Sequence, residues 1–136
     1  MNGFYSTEEL FTAANEVCWK EMEKELIMLT HEFGIMPKAP GPGERFDCYE
    51  PKKYRCVSVP DEAIEPLLEA FRCGKTYWHT LDRPELGLAN WGITLIPPET
   101  LDAYLAIVWK KPGLTELAAL FVKAKTSDSF VIHFGI

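Results

Sequence analysis

The hydrophobic pattern begins with a helical signature. Ser6-Thr7-Glu8-Glu9 has the form of a capping box, with Ser6 at the N-cap and Glu9 reaching back from the third position. Apolar residues follow at Leu10, Phe11, Ala14, Val17, Cys18, Met22, Leu26, Leu29 and Phe33, mostly three or four apart. Gly34 and Pro37 then supply stop signals, so the spacing predicts one long helix over 7–33. Residues 34–53 carry Gly34, Pro37, Pro40, Gly41, Pro42, Gly43 and Pro51 and read as a connection.

Beyond it the period alternates. Tyr54 to Val59 reads as a strand ended by Pro60. Asp61 to Arg72 reads as a helix, with Pro66 either in its first turn or at a kink. Thr76 to Thr80 suits a strand, and Leu81 to Gly87 is a turn-rich connection. The second half of Leu88–Ile96 reads as a strand. Pro97-Pro98 starts a helix whose apolar face is Leu101, Tyr104, Leu105, Ile107 and Val108, with Lys110 and Lys111 at its C-terminal end and Pro112-Gly113 closing it. A further helix covers 114–125. Phe130 to Phe134 is a nearly continuous apolar strand, expected at the sheet centre with both faces covered. The fold class expected is α+β: a small mixed sheet of three to four strands, packed by a long N-terminal helix and about three further helices. Residues 1–136 read as a single domain.

Composition supports a packed core. Of 136 residues, 47% are hydrophobic and 12% aromatic, which suits a globular chain able to fold without disulfides or metal. The formal charge of −6 disfavours nucleic acid, and the basic runs Lys52-Lys53, Lys110-Lys111 and Lys123/Lys125 are short. The longest apolar run is too short for a membrane span, and the N-terminus lacks the features of a secretory signal. Four cysteines (Cys18, Cys48, Cys56, Cys73) without a Cys-x-x-Cys pair fit reduced thiols, so the cytoplasm is the expected compartment.

Candidate chemistry concentrates in residues 73–85. Cys73, His79 and Asp82 are a nucleophile, a base and an orienting acid by type. No nucleophile signature surrounds Cys73, and a helix-ending thiol, a strand histidine and a turn aspartate explain the same residues without catalysis. Cys48, Cys56, Cys73 and His79 are separated by seven, sixteen and five residues, unlike the close ligand pairs of structural zinc, so neither a metal nor a cofactor is expected. Gly41-Pro42-Gly43 lacks the free N–H groups of a phosphate cradle, and Gly74-Lys75-Thr76 lacks the upstream glycine of a P-loop. Glu21, Glu25 and Glu32 fall along one line of the first helix and read as the rim of its buried face.

Trp19, Trp78, Trp91 and Trp109 serve equally as core residues or as contact anchors. Trp19, Ile27, Met28 and Met36 give the first helix region more apolar surface than one packing contact needs. The leading expectation is a non-enzymatic, protein-binding domain, acidic in the manner of inhibitor or immunity proteins, with a second copy of itself as one candidate partner. Trp78, His79, Asp82, Glu85 and Trp91 are its candidate binding residues. The rival expectation is a small-molecule pocket, a binding site or a small enzyme's, lined by His79, Asp82, Glu85, Trp91 and Cys73. No motif resembles a known family closely enough to transfer residues from it.

Overall fold

A computed structural model describes residues 29–136. Among these residues the chain builds six strands: β1 (Thr30–Ile35), β2 (Val57–Pro60), β3 (Lys75–Trp78), β4 (Pro84–Leu86), β5 (Ile93–Ile96) and β6 (Val131–Phe134). They form one sheet in the order β2-β1-β6-β5-β3-β4, and every neighbouring pair is antiparallel. The helices are short: α1 (Asp61–Ile64), α2 (Leu68–Phe71), α3 (Leu101–Val108) and α4 (Thr115–Thr126). The architecture is mixed α and β. Among the described residues no helix is long and apolar enough to cross a membrane.

This corrects the expected fold in three ways. The sheet is antiparallel rather than mixed, and it has six strands rather than three to four. The expected helix over 7–33 does not reach its predicted end, because Thr30–Ile35 is a strand; residues 7–28 lie outside the described residues. Leu29 and Phe33 satisfy a helical spacing, but His31, Phe33 and Ile35 satisfy the two-residue period equally, and strand partners on both sides decide between them. Gly34 is not a helix stop. It lies inside β1, where an added Cβ would come within 2.6 Å of Tyr54 Cβ and 2.8 Å of Cys56 Sγ, so glycine lets the neighbouring chain approach.

One strand boundary also shifts, and one strand is new. Tyr54 ends a 3-10 turn, Pro51–Tyr54, so the strand begins only at Val57. Within 81–87 the short strand β4 was missed, because three residues that include a proline carry no periodic signal. The kinked alternative holds for 61–71, where Pro66 lies in a 3-10 turn between α1 and α2.

The two faces of the sheet are covered differently. On one, Phe33, Val59, Ile96 and Val131 meet Ile64, Phe71, Leu101, Tyr104, Leu117 and Phe121 from the helices. Phe71 and Tyr104 pack edge to face at 4.7 Å, and the Tyr104 hydroxyl donates to the Phe71 carbonyl at 2.8 Å. Burial raises the pKa of that phenol well above its ordinary value. On the other face, Ile93, Leu95, Ile132 and Phe134 are covered by Met36, Phe46, Tyr49 and Tyr54. The connection after β1 is therefore a covering layer. β6 sits at the centre with all four residues buried.

Both sheet edges are blunted by proline. Asp61 N–H donates to Leu29 C=O, and Gly87 N–H to Gly74 C=O. Alternation from these pairs turns Ser58 and Pro60 of β2, and Pro84 and Leu86 of β4, toward the free edges. Pro60 and Pro84 have no N–H, so the outward residues of each edge strand offer one donor, from Ser58 or Leu86. Replacing both prolines with valine (P60V/P84V) is expected to raise self-association of the folded protein, read by sedimentation velocity. A double variant that stays at the wild-type sedimentation coefficient would show that the prolines do not guard the edges.

Candidate functional site

Chemistry gathers at one end of the sheet, where β1 and β5 begin and β3 and β6 end. On the helix-covered face, His31 of β1, His133 of β6 and Thr94 of β5 are fully buried. His31 Nε2 lies 2.7 Å from Asp61 Oδ1, and His31 Nδ1 lies 2.8 Å from His133 Nε2. His133 Nδ1 lies 3.1 Å from Thr94 Oγ1, which accepts the Ala89 N–H at 2.8 Å. The two rings are within 16° of coplanar, and Phe33 packs on His133 at 4.8 Å.

The polarity of this chain follows from its last member. A carboxylate only accepts, so His31 Nε2 donates to Asp61. With neutral imidazoles, His31 Nδ1 then accepts from His133 Nε2–H, and His133 Nδ1 accepts the Thr94 hydroxyl proton. In that neutral tautomer set every bond points toward Asp61, whose side chain is 22% exposed. The chain thus runs from a fully buried hydroxyl to a carboxylate at the surface. Thr94 is sealed, so the arrangement carries no accessible nucleophile; it ties β1, β5, β6 and the start of α1 together.

A second group sits on the rim. His79 follows β3 with φ 67°, a conformation that costs a non-glycine residue energy. Its Nδ1–H faces Phe46 C=O at 3.0 Å and Asp47 Oδ1 at 2.9 Å, while Nε2 accepts the Ile93 N–H at 3.4 Å. Its backbone adds bonds to Ile93 and Phe46. His79 is a clasp between the covering connection and the sheet, with both ring nitrogens engaged. The Arg45 guanidinium, bonded to Asp47 at 2.9 Å, holds the Asp47 carboxyl below its ordinary pKa, and His79 adds to the effect.

The candidate residues read from sequence divide between places. Cys73 is exposed at the start of β3, and His79 lies past its other end, so the supposed trio is not assembled. Asp82 is exposed, and its backbone N–H donates to Thr80 Oγ1. Trp78 donates through Nε1 to Gly87 C=O, with the Arg83 guanidinium 5.2 Å over its ring. Glu85 is paired with Arg83 at 2.9 Å, and Trp78 and Glu85 line a shallow groove along β4. Glu32, expected at a helix rim, is instead buried in β1 on the opposite face. It accepts from Tyr49 Oη at 2.8 Å and Thr30 Oγ1 at 3.1 Å. Glu21 and Glu25 lie outside the described residues. Among those residues no cluster of three His, Cys, Asp or Glu side chains could hold a metal ion.

Trp91 stands apart. Its side chain is 79% exposed. The loop that carries it is pinned by Gly92 N–H to Ala89 C=O, Gly135 N–H to Gly92 C=O, and Ile136 N–H to Asn90 C=O. Gly92 is required there, since a Cβ would lie 2.8 Å from His79 Nε2.

The buried chain was missed in sequence. His31 falls within the span expected as a helix, and His133 within the expected apolar strand. The signal available was His133 itself, because a histidine inside an otherwise apolar central strand must find partners. No family model, no curated protein and no solved structure matches the chain.

Two outcomes test the site. His133→Leu removes a partner from both His31 and Thr94, and should cost about 2–5 kcal/mol in urea unfolding; Thr94→Val, which strips a partner from His133 and from the Ala89 N–H, should cost about 2–4 kcal/mol. A His133→Leu protein within about 0.5 kcal/mol of wild type would show the chain to be dispensable. Asp47, with an ordinary pKa of 3.8, is depressed in the folded state, so its contribution is present above that value and is lost as pH falls through the lower folded one. The melting temperature of Asp47→Asn should therefore fall slightly below wild type at pH 7, and the two should converge on strong acidification.

Proposed function

We propose that the protein works by binding another protein, with Trp91 as the anchor of the contact surface. One observation carries this reading: a tryptophan left 79% exposed on a loop that its own backbone bonds hold rigid. Indole burial is among the largest single contributions to protein interfaces, and an anchor fixed in advance loses little entropy on docking. Trp109, 56% exposed at the end of α3, adds a second aromatic on the surface. The chain's charge of −6 favours a basic partner, as in the inhibitor and immunity proteins it resembles in composition. Among the described residues the free thiols of Cys48 and Cys73 fit action in a reducing compartment such as the cytoplasm.

The rival reading, a small-molecule site around His79 and Asp82, draws less support. Both His79 nitrogens are taken up by the protein, and His79 lines none of the described cavities.

The test is a quantitative capture comparison. Wild type and Trp91→Ala, each confirmed folded by circular dichroism, are used as bait in lysate, and sedimentation velocity reports self-association. Loss of a captured protein, or of a self-dimer, by about 30-fold or more in the variant supports the reading. Equal capture by both proteins would overturn it. So would a small metabolite whose thermal stabilisation disappears in His79→Ala.

A further inference from the structure

The groove along β4 has a character unlike the rest of this acidic chain. Arg72, Lys75, Trp78, Pro84, Glu85 and Leu86 line it. Its one carboxylate, Glu85, is already held by Arg83. Neither Arg72 nor Lys75 has a carboxylate within ion-pair distance among the described residues, and both are exposed. Lys75 lies 5.5 Å over the Tyr77 ring, a contact that leaves its charge uncompensated. Arg72 is fixed nearby, its backbone and Cγ packed against Gly87. The groove therefore carries a local surplus of positive charge in a chain whose net charge is −6.

Backbone geometry adds direction. Leu86 pairs with Lys75 at a non-hydrogen-bonded position of the β3–β4 ladder, so its N–H and C=O point to an edge that is free among the described residues. Its side chain is 51% exposed beside them. Pro84, the next outward residue, offers a carbonyl only. The edge thus accepts a single backbone pair from an added strand, flanked by an apolar contact and two cations.

We propose that this groove binds an acidic segment of a protein partner in extended conformation. The Leu86 backbone takes the strand pair, and Arg72 and Lys75 take flanking carboxylates. Strand addition supplies the backbone contact, and charge complementarity selects the segment. The surface is separate from Trp91, and the proposal does not depend on the Trp91 reading.

The probe is a short capped peptide of alternating glutamate and valine, titrated into the full ¹⁵N-labelled chain. Binding should shift the Leu86 amide and slow its hydrogen exchange. Arg72→Gln/Lys75→Gln should weaken binding by about tenfold or more, raised salt should weaken it further, and a lysine–valine peptide should not bind. Trp91→Ala should leave the affinity unchanged, so that failure here and failure of the Trp91 reading are separate results. Absence of binding at millimolar peptide, shifts confined to residues away from β4, or an affinity unaffected by the double variant would each overturn the proposal.

Discussion

The hydrogen bond between His31 and His133 is the contact on which three strands and the start of a helix converge. Buried imidazoles tolerate few alternatives. A polar atom taken from water must be repaid by a partner, and each partner here comes from a different element. Sliding β6 by one residue would turn His133 to the opposite face and strip a partner from both Thr94 and His31. The apolar residues around the chain do not choose a register so sharply, since Val131 and Ile132 would bury well on either face. Hydrophobic burial supplies the drive to fold, and the polar chain selects which pairing results.

The same arrangement explains why the covering connection is ordered. A sheet with Ile93, Leu95, Ile132 and Phe134 on its second face cannot leave that face in water. The described α-helices pack on the first face, and Met36, Phe46, Tyr49 and Tyr54 cover the second. His79 fastens that layer through Phe46 and Asp47, and its strained backbone is held by the bonds it makes on both sides.

Much of the C-terminal half was legible in sequence. The proline starts, apolar stripes and lysine-rich ends near α3 and α4 all report local preferences, and those elements lie close to their expected spans. The central, doubly buried β6 followed from its nearly continuous apolar run. The failures came where local preference and tertiary pairing disagree. Leu29 and Phe33 fit two periods, and only strand neighbours choose between them. Gly34 and Pro84 punctuate in one-dimensional reading, yet one permits close approach and the other guards an edge. Sequence drew attention to His79, but its role as a clasp depends on Phe46 and Asp47, more than thirty positions away. The His31–His133 contact spans 102 positions, a separation at which no local pattern is visible.

Central β6 has a consequence for the order in which the protein can assemble. It follows every other described strand, yet among these strands it alone joins β2-β1 to β5-β3-β4. Before residues 131–134 leave the ribosome, the described strands can form two partial sheets that share no ladder, each with one edge bare that the finished fold covers. Closing them requires contacts between residues nearly a hundred positions apart, the kind of closure that slows folding. A nascent chain is therefore most open to chaperones, or to pairing with a neighbouring copy, just before β6 appears.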